Sequence, residues 1–115
     1  MEKEKVIIRT YSAGVHYGTL VSEENSSGGV HVVLENSRRI WKWSGANSIS
    51  ELATLGTTSP GDCNFSLPVR KIKLLAIEIN YMTEEAVNSI GEVKIWKFSE
   101  DDNKVSKVLE KYDMV

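Results

Sequence analysis

Apolar and polar positions along the chain divide it into short strand-like runs and three helical stretches. Residues 6–10, Val-Ile-Ile-Arg-Thr, are a β-branched run that predicts a strand. Residues 12–14 follow as a hairpin tip. Residues 15–21 then alternate, with Val15, Tyr17, Thr19 and Val21 on one side and His16, Gly18 and Leu20 on the other. Gly18 within such a strand marks a bulge or the close approach of another backbone. Residues 22–29 are polar and glycine-rich, which predicts a mobile loop. Residues 30–34 make a third strand, Glu35-Asn36-Ser37 a tight turn, and 38–43 a fourth strand. In the fourth, Arg39, Trp41 and Trp43 share one face, and Arg38, Ile40 and Lys42 share the other.

The second half brings in helical signals. Ser48-Ile-Ser-Glu51 is a capping box, opening a helix of about two turns with Ile49, Leu52 and Ala53 inward and Gly56 as its stop. Residues 57–62 form a loop around Pro60-Gly61. Residues 72–79 are apolar on both sides, which predicts a central strand covered on both faces. Thr83 caps a second helix with Glu84 and Glu85 in its first turn, Met82 stapled onto Val87, and Gly91 at its end. Residues 93–98 alternate as a further strand. Ser99 opens a last helix whose acidic start and later lysines suit the helix dipole. Val105, Val108, Leu109 and Tyr112 give it an apolar face, for which a neighbouring subunit is a candidate partner.

The expected architecture is α+β: an antiparallel, strand-rich core of about six strands, open to curling into a partial barrel, with three short helices. A chain of 115 residues makes one domain, here a core over 5–98 and a C-terminal helix over 99–115. Composition changes this picture little, at 41% hydrophobic and 26% charged. The net charge of −2 removes the broad basic field that drives non-specific nucleic-acid binding. The short apolar run after the charged start is no signal peptide, and nothing approaches the roughly 18 apolar residues of a membrane span. A cytoplasmic protein is expected. Cys63 is the single cysteine, which excludes an internal disulfide.

Candidate chemistry lies in two stretches. Arg39, Trp41 and Trp43 can clamp a phosphate and stack on bases, since guanidinium is a planar bidentate donor and indole a wide π face. The same residue types also serve as ordinary core tryptophans and a surface ion-pair partner. Ser44-Gly45-Ala46, leading into a helix N-terminus, reads as an anion seat. The hairpin adds Arg9, Tyr11, Ser12, His16 and Tyr17 around one turn. No metal or cofactor is expected: His16 and His31 lack companions at ligand spacing. Cys63 lies in no nucleophile motif. Glu78, on the central strand, requires a partner, for which a lysine at the strand end is expected.

Residues 8–20 (Ile-Arg-Thr-Tyr-Ser-Ala-Gly-Val-His-Tyr-Gly-Thr-Leu) and 37–47 (Ser-Arg-Arg-Ile-Trp-Lys-Trp-Ser-Gly-Ala-Asn) carry a resemblance. With Glu51-Leu-Ala, Ala76-Ile-Glu-Ile and Thr83-Glu-Glu-Ala, they resemble a family of small phage and prophage proteins known only as a domain of unknown function. The resemblance covers roughly residues 6–90 and implies a viral accessory protein. Small phage proteins of this kind counter host defence or bind host proteins, and one class consists of oligomeric sponges for cyclic nucleotide or cyclic ADP-ribose signals. By that analogy, the expected function is a non-enzymatic anti-defence protein that sequesters a small anionic nucleotide in the host cytoplasm, as a homo-oligomer. Arg9 and Arg39 would pair with phosphate, Tyr11, Trp41 and Trp43 would stack, and Ser12 and His16 would donate hydrogen bonds. The alternatives are a protein-interaction inhibitor of a host defence enzyme, a single-stranded nucleic-acid module disfavoured by net charge, and an enzyme with His16 as base.

Overall fold

The computed structural model describes residues 3–96 and 102–114. Strands β1 (Lys5–Thr10), β2 (Val15–Ser26) and β3 (Gly29–Lys42) come first, then helix α1 (Ile49–Leu55). A 3-10 turn (Pro60–Asp62) precedes β4 (Asn64–Phe65) and β5 (Val69–Tyr81), and helices α2 (Glu84–Ile90) and α3 (Asp102–Lys111) follow. The fold is α+β. Its five strands pair antiparallel in the order β2-β1-β5-β3-β4, and β2 also pairs with β3. Strands β1, β2, β3 and β5 therefore close on one another in a ring, which leaves no open edge among those four.

Alternation along the strands sends side chains to two separate cores. Val6, Ile8, Val32, Leu34, Leu74 and Ala76 fill the inside of the ring. Ile7, Ile40 and Phe65 point outward and are covered by Leu52 and Ala53 of α1 and by Ala86 and Ile90 of α2. Each fully buried Ile or Leu contributes about 1.5–3 kcal/mol. Both short helices start as the sequence predicts: Ser48 Oγ accepts from Glu51 N at 3.1 Å, and Thr83 Oγ1 from Ala86 N at 3.0 Å. They are also tied together, since Ser89 Oγ accepts from Thr57 N and donates to Thr57 O. Gly56, at φ 79°, ends α1 where an added Cβ would fall 2.4 Å from Ser89 Cβ, so only glycine fits.

Several sequence expectations change. Residues 22–29 are not a loop: β2 runs on to Ser26, pairing Glu23 with Val32 and Asn25 with Val30, and Ser27-Gly28 alone make the turn. An exposed ribbon needs backbone partners rather than its own apolar pattern, and β3 supplies the apolar side. Residues 35–37 do not separate two strands. Asn36, at φ 52°, bulges within one continuous β3, and the register against β2 shifts between Tyr17 and Thr19. Gly18 lies opposite this bulge, where a Cβ would sit 3.1 Å from Ser37 Cα, so the close approach expected at Gly18 is present.

The central strand is β5, between β1 and β3, but it is covered on one face only. Leu75 and Ile77 are exposed. Arg9 pairs with Glu78 and Thr10 with Ala76, so Ile77 is an extra residue. Past it the parity turns over, and Ile79 joins Leu74 and Ala76 inside the ring. The strand expected over 93–98 is reduced to one parallel bridge from Ile95 to Phe65, and residues 97 and 98 lie outside the described residues. Ser99 and the acidic start of the last helix at 100 and 101 also lie outside them. Leu109 of α3 is buried on its own chain, facing Leu67 and Pro68, whereas Val108 and Tyr112 remain exposed. No helix among the described residues is long and apolar enough to cross a membrane.

Candidate functional site

The β1–β2 turn is pinned from within. Thr10 Oγ1 donates to Gly14 O and accepts from Ala13 N, both at 2.8 Å. Nε2–H of His16 donates to Ala13 O at 2.7 Å. His16 is 2% exposed, so this imidazole is part of the turn's own bonding. Burial lowers its pKa; the Ala13 carbonyl pulls it back up, and Arg39, its cross-strand partner, adds to the lowering. Tyr11 and Ser12 are held outward by the turn, Tyr11 being 89% exposed.

Arg9 is exposed but engaged. Its Nη2 lies 2.9 Å from Glu78 Oε1, and Glu78 also accepts from Asn80 Nδ2 at 2.8 Å. The partner of Glu78 is thus an arginine, not the expected lysine. The Asn80 hydrogen bond and the Arg9 guanidinium hold the Glu78 carboxyl below its ordinary pKa.

Of the expected triad on β3, two members remain together at the surface. Arg39 and Trp41 are exposed, and β2 begins at Val15 opposite Ile40, so the pinned turn lies at the same end of the sheet. Trp43 is elsewhere. Ile40 pairs with Phe65 and Lys42 with Asn64, which makes Trp41 the extra residue of a bulge. That extra residue reverses the parity and sends Trp43 to Ile40's side, where it packs on the outer core. The anion seat is closed as well. A Cβ on Gly45 would lie 2.7 Å from Thr58 N, Thr57 Oγ1 donates to Ser44 O, and the first turn of α1 is already capped by Ser48.

The ring that Trp41 meets is Trp96, at 5.3 Å between centroids and 75° between planes, with the two indoles 52% and 59% exposed. Edge-to-face geometry leaves a broad π surface free. Trp96 N donates to Phe65 O at 2.9 Å, and Arg38 holds the preceding residues by donating from Nη1 to Val93 O and from Nη2 to Lys94 O. A hollow of about 390 Å³ opens beside that indole, and its charged lining is one lysine, Lys94, and one carboxylate, Glu92. Sequence reasoning missed Trp96. Its only signal was a third tryptophan on an alternating segment, with nothing to show that β4 carries it to Trp41.

Tyr17 leaves the turn cluster in which the sequence placed it, whereas Arg38 stays on Ile40's face as expected. They are cross-strand partners on the outer face, and the guanidinium lies over the Phe65 ring at 5.2 Å. No group of three histidine, cysteine or carboxylate side chains among the described residues could hold a metal. His16 and His31 lie at opposite ends of β3's pairing, opposite Arg39 and Glu24 respectively. Cys63 is buried, with its Sγ near Ser44 O, Thr57 Oγ1 and Ser59 O.

No curated protein and no solved structure matches the chain. A family profile does, over residues 3–90, which takes in the inner core, all of the outer core but Val93, the pinned turn and Trp41, and ends before Trp96 and α3. The chain belongs to the family described as a domain of unknown function, DUF6948.

Proposed function

We propose that the protein binds a small anionic nucleotide at the end of the sheet that carries Arg39, Trp41 and Trp96, and holds it without turnover. The carrying observation is the Trp41–Trp96 pair: two large indoles, both more than half exposed, in edge-to-face contact on a surface with an exposed arginine, Arg39. Exposed aromatic pairs of this size are costly to leave in water and suit a flat ligand. A base stacks on an indole face, and the Arg39 guanidinium meets the phosphate as a two-pronged donor. The hollow beside Trp96 supplies room, and its Lys94 and Glu92 leave the anion's charge to Arg39. Tyr11 and Ser12, at the same end, extend the surface. Arg9 takes part only by giving up Glu78, and Trp43, packed on the outer core, is left out of the site.

In the phage setting that the sequence resemblance implies, holding a nucleotide signal without turnover amounts to sequestering it from host defence. The test is to incubate the protein with a mixture of cyclic mononucleotides, cyclic dinucleotides and cyclic ADP-ribose, remove free ligand, denature, and identify what is released by mass spectrometry. The expected result is one intact nucleotide in stoichiometric amount, absent from Trp41→Ala and Arg39→Gln preparations. Release of hydrolysed product, or of nothing, contradicts the reading.

A further inference from the structure

On the opposite side of β3 from Arg39, a cleft of about 430 Å³ lies between the outer face of the sheet and the end of α3. Its polar lining is Lys5, Tyr17, Asn36, Arg38 and Lys94, and its apolar lining includes Val93, Ile95, Leu109 and Met114. Three features point to a missing anion. First, no carboxylate lines the cleft among the described residues, although two lysines and an arginine do.

Second, Arg38 is half-buried and gives Nε–H to Ser66 O at 2.9 Å, one Nη1–H to Val93 O at 2.9 Å and one Nη2–H to Lys94 O at 3.2 Å. Guanidinium carries five N–H groups, so two have no acceptor among the described residues. Carbonyl dipoles solvate the cation but bring no net negative charge, and a half-buried cation with free N–H groups is suited to receive one. Third, the Tyr17 hydroxyl, on the cross-strand partner of Arg38, has no hydrogen-bond partner among the described residues. Burial raises its pKa, so at neutral pH it stays a donor, against the pull of Arg38.

We propose that this cleft is a second ligand site, centred on Arg38 and Tyr17 and bordering the Trp41–Trp96 face at Lys94 and Ile95, and that it takes a small amphipathic oxyanion: a phosphate or carboxylate carried on an apolar body. The two free N–H groups of Arg38 and the Tyr17 hydroxyl receive the oxyanion. Lys5, now donating to Thr19 Oγ1 at 2.8 Å, and Lys94 add charge at the rim. Leu109 of α3 and Met114, three residues past its end, cover the apolar body. The volume falls in the range of about 300–1,000 Å³ usual for small-molecule sites.

The test uses phenyl phosphate and benzoate as probes, with phenol as the uncharged control, followed by amide chemical shifts of the full chain. Saturable shifts at Lys5, Tyr17, Arg38 and Val93 are expected with at least one of the anions and not with phenol; the tighter of the two identifies the anion chemistry. Arg38 also holds the 93–96 segment in place, so the variants are Tyr17→Phe and Lys5→Gln, which leave the fold intact. Each should weaken binding by about tenfold, the size of one hydrogen bond to a charged group. Trp41→Ala should bind the probes as the parent does, which separates this site from the aromatic face. The absence of saturable shifts with both anions, equal binding of phenol, or unchanged affinity in both variants would overturn the proposal.

Discussion

Tyr17 and Arg38 stand opposite each other on β2 and β3, and the Arg38 guanidinium is bonded to the carbonyls of Ser66, Val93 and Lys94 rather than to a carboxylate. Burial draws its pKa down, and the group that draws it back up is the Tyr17 phenol. One side chain thus fastens the segment that follows α2 to the sheet, and through it sets Trp96 against Trp41. Arg38→Ala should destabilise the protein by about 2–4 kcal/mol, because it removes charge-assisted bonds and orphans buried carbonyls. Urea unfolding reads the loss. Amide exchange at Ile95 and Trp96 should quicken beyond what global destabilisation explains.

At the β3 bulge, the Ser37 hydroxyl is buried and has no hydrogen-bond partner among the described residues. Removing an unsatisfied buried donor relieves its desolvation cost, so Ser37→Ala should be neutral or stabilise by up to about 1 kcal/mol. Gly18→Ala, across the same bulge, meets Ser37 Cα at 3.1 Å and Glu35 O at 3.2 Å, and should destabilise by about 1–3 kcal/mol. Thermal unfolding of the two variants should therefore shift in opposite directions, or the first not at all.

His16 gives the pH dependence. Its folded pKa lies below the ordinary 6.5, so between those two values the unfolded chain binds more protons than the folded one. Its contribution is present above pH 6.5 and is lost as pH falls through the folded pKa. The slope from one proton is at most about 1.4 kcal/mol per pH unit. Denaturant unfolding from pH 7.5 down to 5 should show this fall, and His16→Gln, less stable at pH 7.5, should show a flatter profile over that window.

Trp41 and Trp43 are two residues apart, yet one is at the surface and the other is packed on the outer core. Trp43→Ala should cost about 2–4 kcal/mol by opening a cavity beside Ile40, whereas Trp41→Ala should stay within about 1 kcal/mol of the parent. The comparison checks the parity reversal at the β3 bulge, because an uninterrupted strand would place both indoles on one face.

Strand and helix identities were legible where one rule decides them. Ser48 and Thr83 cap because a hydroxyl before an apolar helix stripe has few other uses, and residues 6–10 are β-branched on both faces because both cores need them. Bulges were not legible. Asn36, Trp41 and Ile77 each add one residue against a partner strand, and each addition moves everything beyond it to the other face. Period-two reading of one strand carries no sign of its partner's register. This is why Trp43 was placed with Arg39 and why β5 was expected to be covered twice. The polar half of β2 was hidden for a related reason: its apolar counterpart sits on β3. Contacts such as Trp41 with Trp96 depend on tertiary closure and leave no local trace.

The most direct test of the aromatic face is intrinsic tryptophan fluorescence during titration with the nucleotide released in the mass-spectrometric experiment, or with cyclic di-AMP and cyclic ADP-ribose in turn. Saturable quenching should occur in the parent, be lost in Trp41→Ala, and weaken at least tenfold in Arg39→Gln, with Tyr17→Phe unaffected. Absence of saturable quenching with every nucleotide, or quenching of the same midpoint in Trp41→Ala, would contradict a nucleotide site at Arg39, Trp41 and Trp96.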